Sequence, residues 1–264
     1  KNLPPTVSGN GRVAVASVSF DDSLVDLIDA DPVKPDARAA DYAKRAAMLE
    51  ILRLAEGAAA VRLELDRRLA SLYARRLGDP LNAYEAATRV LHAAPEDEQN
   101  RREMTTLAAD LGAYDDLALE LDKLVKRLGE PKADDAAAKK LLGDLSWQLA
   151  ELQAERLSQP EAAGPHYRRV LALSPEHAGA YDALERLLRS RERYAELGAL
   201  LEQRQQITHD AAVRVAILYR SADLSEGVLD DDKAATRAFE RVLELAPEEL
   251  RAYKSLERLY AAAQ

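Results

Sequence analysis

The phrase Arg-Val-Leu-x-x-x-Pro-Glu occurs three times in this chain, at Arg89 to Glu96, Arg169 to Glu176 and Arg241 to Glu248. Its prolines lie 80 residues apart (95 to 175) and then 72 apart (175 to 247). Self-similarity at such a period marks stacked units rather than one closed globule, because each unit buries its apolar face only on its neighbours. Function is therefore to be sought on an extended surface.

The residues between the phrases read as helix. Ala, Leu, Arg and Glu dominate, and only 11 Gly and 11 Pro occur among 264 residues. That is the helix-forming end of the propensity scale. The balance of 37 basic against 46 acidic residues gives a formal charge of -9, which repels phosphate backbones, so no nucleic-acid partner is expected. Cysteine is absent, which removes disulfides and Cys-ligated zinc and fits a reducing cytoplasm, although a periplasmic protein can lack cysteine too. No apolar run approaches the roughly 20 residues that span a bilayer, so no membrane insertion is expected. The Ala- and Arg-rich composition points to a high-GC bacterial source. The chain opens at Lys1 without Met, as a piece of a longer protein would.

Residues 1–36 hold Pro4, Pro5, Gly9, Gly11, Pro32 and Pro35 and read as a leader, either a flexible linker or a segment that docks in its own groove or on a partner. Within it, Val13 to Phe20 alternates like a short strand, and Ser23 to Ile28 could form an acidic amphipathic turn. From Asp36, which can cap a helix running through Leu54, the pattern is helical to the end, and 37–264 reads as one repeat domain. Hairpin starts are expected near 64, 98, 144, 178, 216 and 250, so that each long period holds two hairpins 34 residues apart (64 to 98). Gly112 suits a left-handed helix cap. The stretch Ala133 to Lys140 is expected to lengthen the third hairpin's first helix.

A 34-residue helix-turn-helix unit with small residues early in its second helix and Pro after it resembles the tetratricopeptide repeat (TPR). The matching residues are Gly78-Asp79, Ala83, Val90 and Pro95 in the first unit and Gly112, Tyr114 and Leu117 in the second. In the third they are Ala163, Tyr167, Val170 and Pro175, and in the fifth Ala235, Phe239, Val242 and Pro247. The resemblance covers about residues 62–264 and implies an all-α, right-handed α-solenoid of about six TPR-like hairpins. First helices such as Leu69 to Gly78 carry about one residue more before the turn than the family pattern. The expected core is Leu69, Leu72, Leu91, Met104, Leu107, Leu124, Leu145, Leu149, Val170, Leu184, Leu187, Leu218, Leu243, Leu256 and Leu259, with Ala83, Ala163 and Ala235 at close helix approaches. Because the helix ending at Gln264 lacks a polar cap, more chain is expected to follow.

The resemblance also implies that first helices line a concave groove for peptide segments. Transferred by position, the groove presents Arg67, Ser71, Arg75, Arg102, Thr106, Asp182, Arg186, Arg189, Lys254 and Arg258, a mainly basic set favouring an acidic peptide. The plainer reading is that these arginines face solvent and pair with Glu or Asp one turn away. Some family members hold a carboxylate with paired Lys and Asn, but Asn100 is the one Asn on a groove-lining helix, and that role is not carried over. Trp147, the single tryptophan, reads as core when counted back from Pro175 and as a groove anchor when counted forward. Tyr181 and Tyr253 read as core. His92, His166, His177 and His209 show no zinc-site spacing, and no cofactor or metal site is expected. Asp115-Asp116 and Asp230-Asp231-Asp232 sit at turns as helix caps. No nucleophile elbow or phosphate loop is present, so the expectation is a non-enzymatic, cytoplasmic, bacterial interaction scaffold. The alternative is a structural, self-associating module of a larger complex.

Overall fold

The computed structural model describes residues 35–262, with side chains from Ala39 onward. The leader segments Val13 to Phe20 and Ser23 to Ile28, and the side chain of Asp36, lie outside the described residues. Those described are all-α: twelve helices and two π-helical turns, with no strand among them. The chain divides into two compact units, residues 1–78 and 79–264.

The first unit contains α1 (Pro35–Ala55), α2 (Ala59–Leu72) and a π turn (Tyr73–Leu77). Tyr42, Ala46 and Leu49 of α1 and Leu65, Leu69 and Ala70 of α2 are buried, and α1 packs on α2. Arg53 reaches from α1 to the buried Asp66 of α2 at 2.5 Å. A buried carboxylate needs such a partner to stay charged.

The second unit runs α3 (Pro80–Ala93), α4 (Glu98–Leu111), α5 (Tyr114–Leu128), α6 (Ala136–Glu151), a π turn (Leu152–Arg156), α7 (Pro160–Leu173), α8 (Ala178–Ser190), α9 (Tyr194–Ile207), α10 (Ala211–Gly227), α11 (Asp232–Leu245) and α12 (Leu250–Ala262). Within this unit each helix packs on its neighbours in sequence. Side chains also link alternate helices, as where Gln148 of α6 meets Thr105 of α4 and Arg220 of α10 meets Glu185 of α8. Four complete hairpins, α4–α5, α6–α7, α8–α9 and α10–α11, thus stack in sequence order as an α-solenoid.

The repeated phrase explains how each second helix stops. Ala94, Ser174 and Ala246, the residues before its prolines, adopt nearly the same backbone, with φ of -139°, -138° and -142° and ψ of 71°, 81° and 82°. Pro disfavours the α conformation in the residue ahead of it, so the helix ends there in all three copies. The Val and Leu of the phrase face the core, Val90, Val170, Val242, Leu91 and Leu171 being buried.

The turns inside the hairpins repeat as well. Gly78, Ser158 and Asp230 all take left-handed backbone, at φ of 60°, 54° and 53°, and so do Gly112 and Glu192, at 66° and 56°. Only the two glycines do so without steric cost. Asp79 and Asp231 cap α3 and α11 by accepting the N–H groups of Asn82 and Ala234. Asp115 and Asp116 do not cap α5, whose N-cap is Ala113. They lie in its first turn, where their charge complements the helix dipole.

Both π turns lie where a first helix meets its hairpin turn. A π turn takes one residue more than an α turn, and it absorbs the extra residue that the sequence carries ahead of Gly78. The stretch after Pro131 joins α6 from Ala136 onward, Asp135 capping it at the N–H of Ala138, 2.8 Å away.

Most expected core positions are buried, and Ala83, Ala163 and Ala235 are completely enclosed. Three residues depart. Leu72 and Leu243 are half-buried. Tyr253, which reads as core by its likeness to Tyr181, is 51% exposed, because no described helix covers that side of α12.

Candidate functional site

The site is a cleft of about 710 Å³ in the second unit, between α4 and α6. The first helices of successive hairpins form its two walls. Arg102, Thr105 and Thr106 come from α4, and Lys140, Asp144, Trp147 and Gln148 from α6, with Leu117 of α5 and Leu152 of the π turn adding apolar surface. A helix places residues three or four apart on one face, so 140, 144, 147, 148 and 151 form a single stripe along α6.

Hydrogen bonds within the walls hold them together. The amide of Gln148 donates to Thr105 Oγ1 at 3.1 Å and to the Arg101 carbonyl at 3.4 Å. Arg101 is buried and donates to the Pro95 carbonyl, tying α4 to the preceding turn. The Tyr167 hydroxyl donates to Glu151 at 3.0 Å, and burial together with that carboxylate pushes the phenol well above its usual range.

Trp147 combines the two readings of the sequence. Its ring packs 5.6 Å from Tyr167 and 4.6 Å from His177, centre to centre, against the core of the α6–α10 region. It is nevertheless only half-buried and lines the cleft. His177 Nδ1 accepts the Ala180 N–H at 3.1 Å and caps α8, so the ring beside the indole has a structural duty of its own.

The mainly basic groove is not what this cleft presents. Arg101, Arg102, Lys140 and Arg156 are matched in number by Glu98, Asp144, Glu151 and Glu155. The reason is the helical i,i+4 spacing, which brings acids alongside the arginines: Arg102 pairs with Glu98, and Arg189 with Glu185 at 3.5 Å. Arg258 pairs instead with Glu226 of α10, whose carboxyl is held below the usual range by that hydrogen bond. Arg102 and Trp147 are therefore brought to one cleft. Arg186 and Arg189 lie exposed on α8, Lys254 and Arg258 exposed on α12, and Arg67 and Arg75 exposed in the first unit. Asn100 is buried and donates to the Ala87 carbonyl at 3.0 Å, which explains why an Asn stands there.

Sequence reasoning missed Lys140, Asp144, Gln148 and Glu151. The signal for them was the stripe that Trp147 belongs to. Among the described residues no group of three or more His, Asp or Glu could hold a metal ion, and no helix is long and apolar enough to cross a membrane.

No protein-family model and no curated protein matches the chain. Similar solved structures include a tetratricopeptide repeat protein from Parabacteroides merdae, 16% identical at a TM-score of 0.41, covering 75% of this chain and 72% of that one. MamA is 21% identical at 0.38, covering 71% of this chain and 96% of its own. YrrB, described as a TPR protein with an unusual peptide-binding site, is 13% identical at 0.40, covering 74% and 90%. With scores that low, the fold rests on the chain's own geometry. By its stacked hairpins, its left-handed turns and its threefold Pro closure, the chain has a TPR-like α-solenoid fold.

Proposed function

We propose that the chain is a non-enzymatic interaction scaffold whose α4–α6 cleft receives a peptide segment of a partner protein. The observation that carries this reading is Trp147, half-exposed in a cleft whose walls are already braced by Gln148 and Arg101. A rigid aromatic in a preformed concave site is the kind of residue that dominates binding energy. Balanced lining charge favours a segment carrying both signs. A carboxylate of the ligand would compete with Glu98 for Arg102, which keeps an acidic element within the reading. The setting we infer, bacterial and cytoplasmic, rests on composition alone.

Panning a displayed random-peptide library on the full chain, with the Asp144→Arg variant as counter-target, tests this. Asp144 is exposed, so the substitution alters the cleft without touching the core. Peptides that bind the native chain and not the variant support the reading. Peptides that bind both equally place recognition elsewhere and overturn it.

A further inference from the structure

The crease between α7 and α9 has a copy 80 residues earlier, between α3 and α5, and the two are filled differently. Tyr114 opens α5 as Tyr194 opens α9, and Leu117 and Leu121 are buried like Leu197 and Leu201, so both creases share one register. In the α3–α5 crease the His92 imidazole meets the Glu120 carboxylate at 2.6 Å, a ring and an acid bridging the two helices. The same positions in the second copy (92 to 172 and 120 to 200) are Ala172 and Leu200. Neither makes such a bridge, and a pocket of about 350 Å³ lies there, lined by both.

The rest of the lining is apolar with a charged mouth. Leu171, Leu184 and Leu188, all buried in the fold, form its inner walls. A cavity of this size with apolar walls and a few polar groups suits a small molecule. The charged groups are Arg168 and Glu196, paired at 2.8 Å. Arg168 stands where the first copy has Thr88, so that crease has no guanidinium in this place. It ends a row of charges, Arg191, Glu161, Arg193, Glu196 and Arg168, in which three guanidiniums meet two carboxylates. The surplus is positive, and Arg168 donates to Glu196 through Nη2, leaving it further N–H donors at the pocket.

We infer that this pocket binds a free aromatic carboxylate, with its ring against Leu171, Leu184, Leu188 and Leu200 and its carboxylate on Arg168. Such a ligand supplies from outside the ring and the acid that His92 and Glu120 supply within the first copy. The pocket shares no lining residue with the α4–α6 cleft, so its fate is independent of the peptide reading above.

The probe is 4-fluorophenylacetate, its fluorine NMR linewidth followed as the full chain is added. Saturable broadening with a dissociation constant of about 1 mM is expected for an acid of this size. Ala172→Phe, which fills the pocket from an exposed position, should abolish it. Arg168→Gln should weaken it about tenfold, through loss of a charge-assisted hydrogen bond. The neutral 4-fluorophenylacetamide should bind the native chain about tenfold more weakly than the acid, and be indifferent to Arg168→Gln. Both substitutions change exposed side chains, and circular dichroism confirms that the variants fold. No saturable broadening, broadening that survives Ala172→Phe, or acid binding unmoved by Arg168→Gln overturns the inference. So does displacement of the probe by about a tenth of its concentration of a peptide ending in Phe with a free carboxylate, which would make a protein C-terminus the occupant.

Discussion

A Cβ placed on Gly179 would stand 3.0 Å from Cη2 of Trp147, tighter than nearly all Cβ contacts, so the missing side chain at the start of α8 leaves the indole of α6 room that an Ala would make it yield. The cleft wall is thus shaped by a residue that does not line it. Gly179→Ala should push the indole away, shift the emission of the only tryptophan and destabilise the chain by about 1–3 kcal/mol. Emission and unfolding midpoint unchanged from the native chain would show that the ring is not held there.

The hairpin turns can be improved from within the repeat. Gln159 occupies the place of Asp79 and Asp231 with similar backbone but makes no capping bond. Gln159→Asp should therefore add about 1 kcal/mol. Glu192 holds the left-handed conformation that Gly112 holds 80 residues earlier, and Glu192→Gly should add up to about 1 kcal/mol by relieving it. Urea denaturation reads both gains, and a loss at either site would contradict the equivalence of the turns.

Ala163 is fully enclosed on α7, where the chain's small residues let helices approach closely. Ala163→Leu should cost about 1–3 kcal/mol by overpacking. A midpoint unchanged in urea would mean that the contact has slack.

His166 supplies a pH dependence. Burial pushes its imidazole below the ordinary value of 6.5, with Arg169 adding to the effect, and its Nδ1 is buried without a partner. A folded-state value below the unfolded one means that the unfolded chain takes up the proton first. Stability is then full above about 6.5 and falls as pH drops through that value toward the folded one. Between pH 7 and 5.5 the native chain should lose more stability than the His166→Asn variant. Equal losses would remove His166 as the cause.

Much of this was legible in the sequence, and the exceptions have physical reasons. Arg-Val-Leu-x-x-x-Pro-Glu marks helix ends because Pro acts on its immediate neighbour, and the three closures share one backbone conformation. Trp147 was ambiguous because the π turn at Leu152–Arg156 lies between it and Pro175. One added residue rotates a helix face by about 100°, so counting across that turn changes which side the ring occupies. The balanced charge of the cleft was missed because the expected groove took only Trp147 from α6, leaving Lys140, Asp144 and Glu151 of the same helix uncounted. Tyr253 was misread for a different reason. Its local sequence resembles that of Tyr181, but burial depends on what packs next, and α12 has no counterpart of α9 among the described residues.

The central claim is that the α4–α6 cleft binds peptide at Trp147, and the tryptophan itself reports it. Titrating the full chain with a Trp-free peptide selected by panning, while following intrinsic emission, should give a saturable change that is absent in Asp144→Arg. Saturable binding of that peptide by calorimetry with no change in Trp147 emission would contradict the claim.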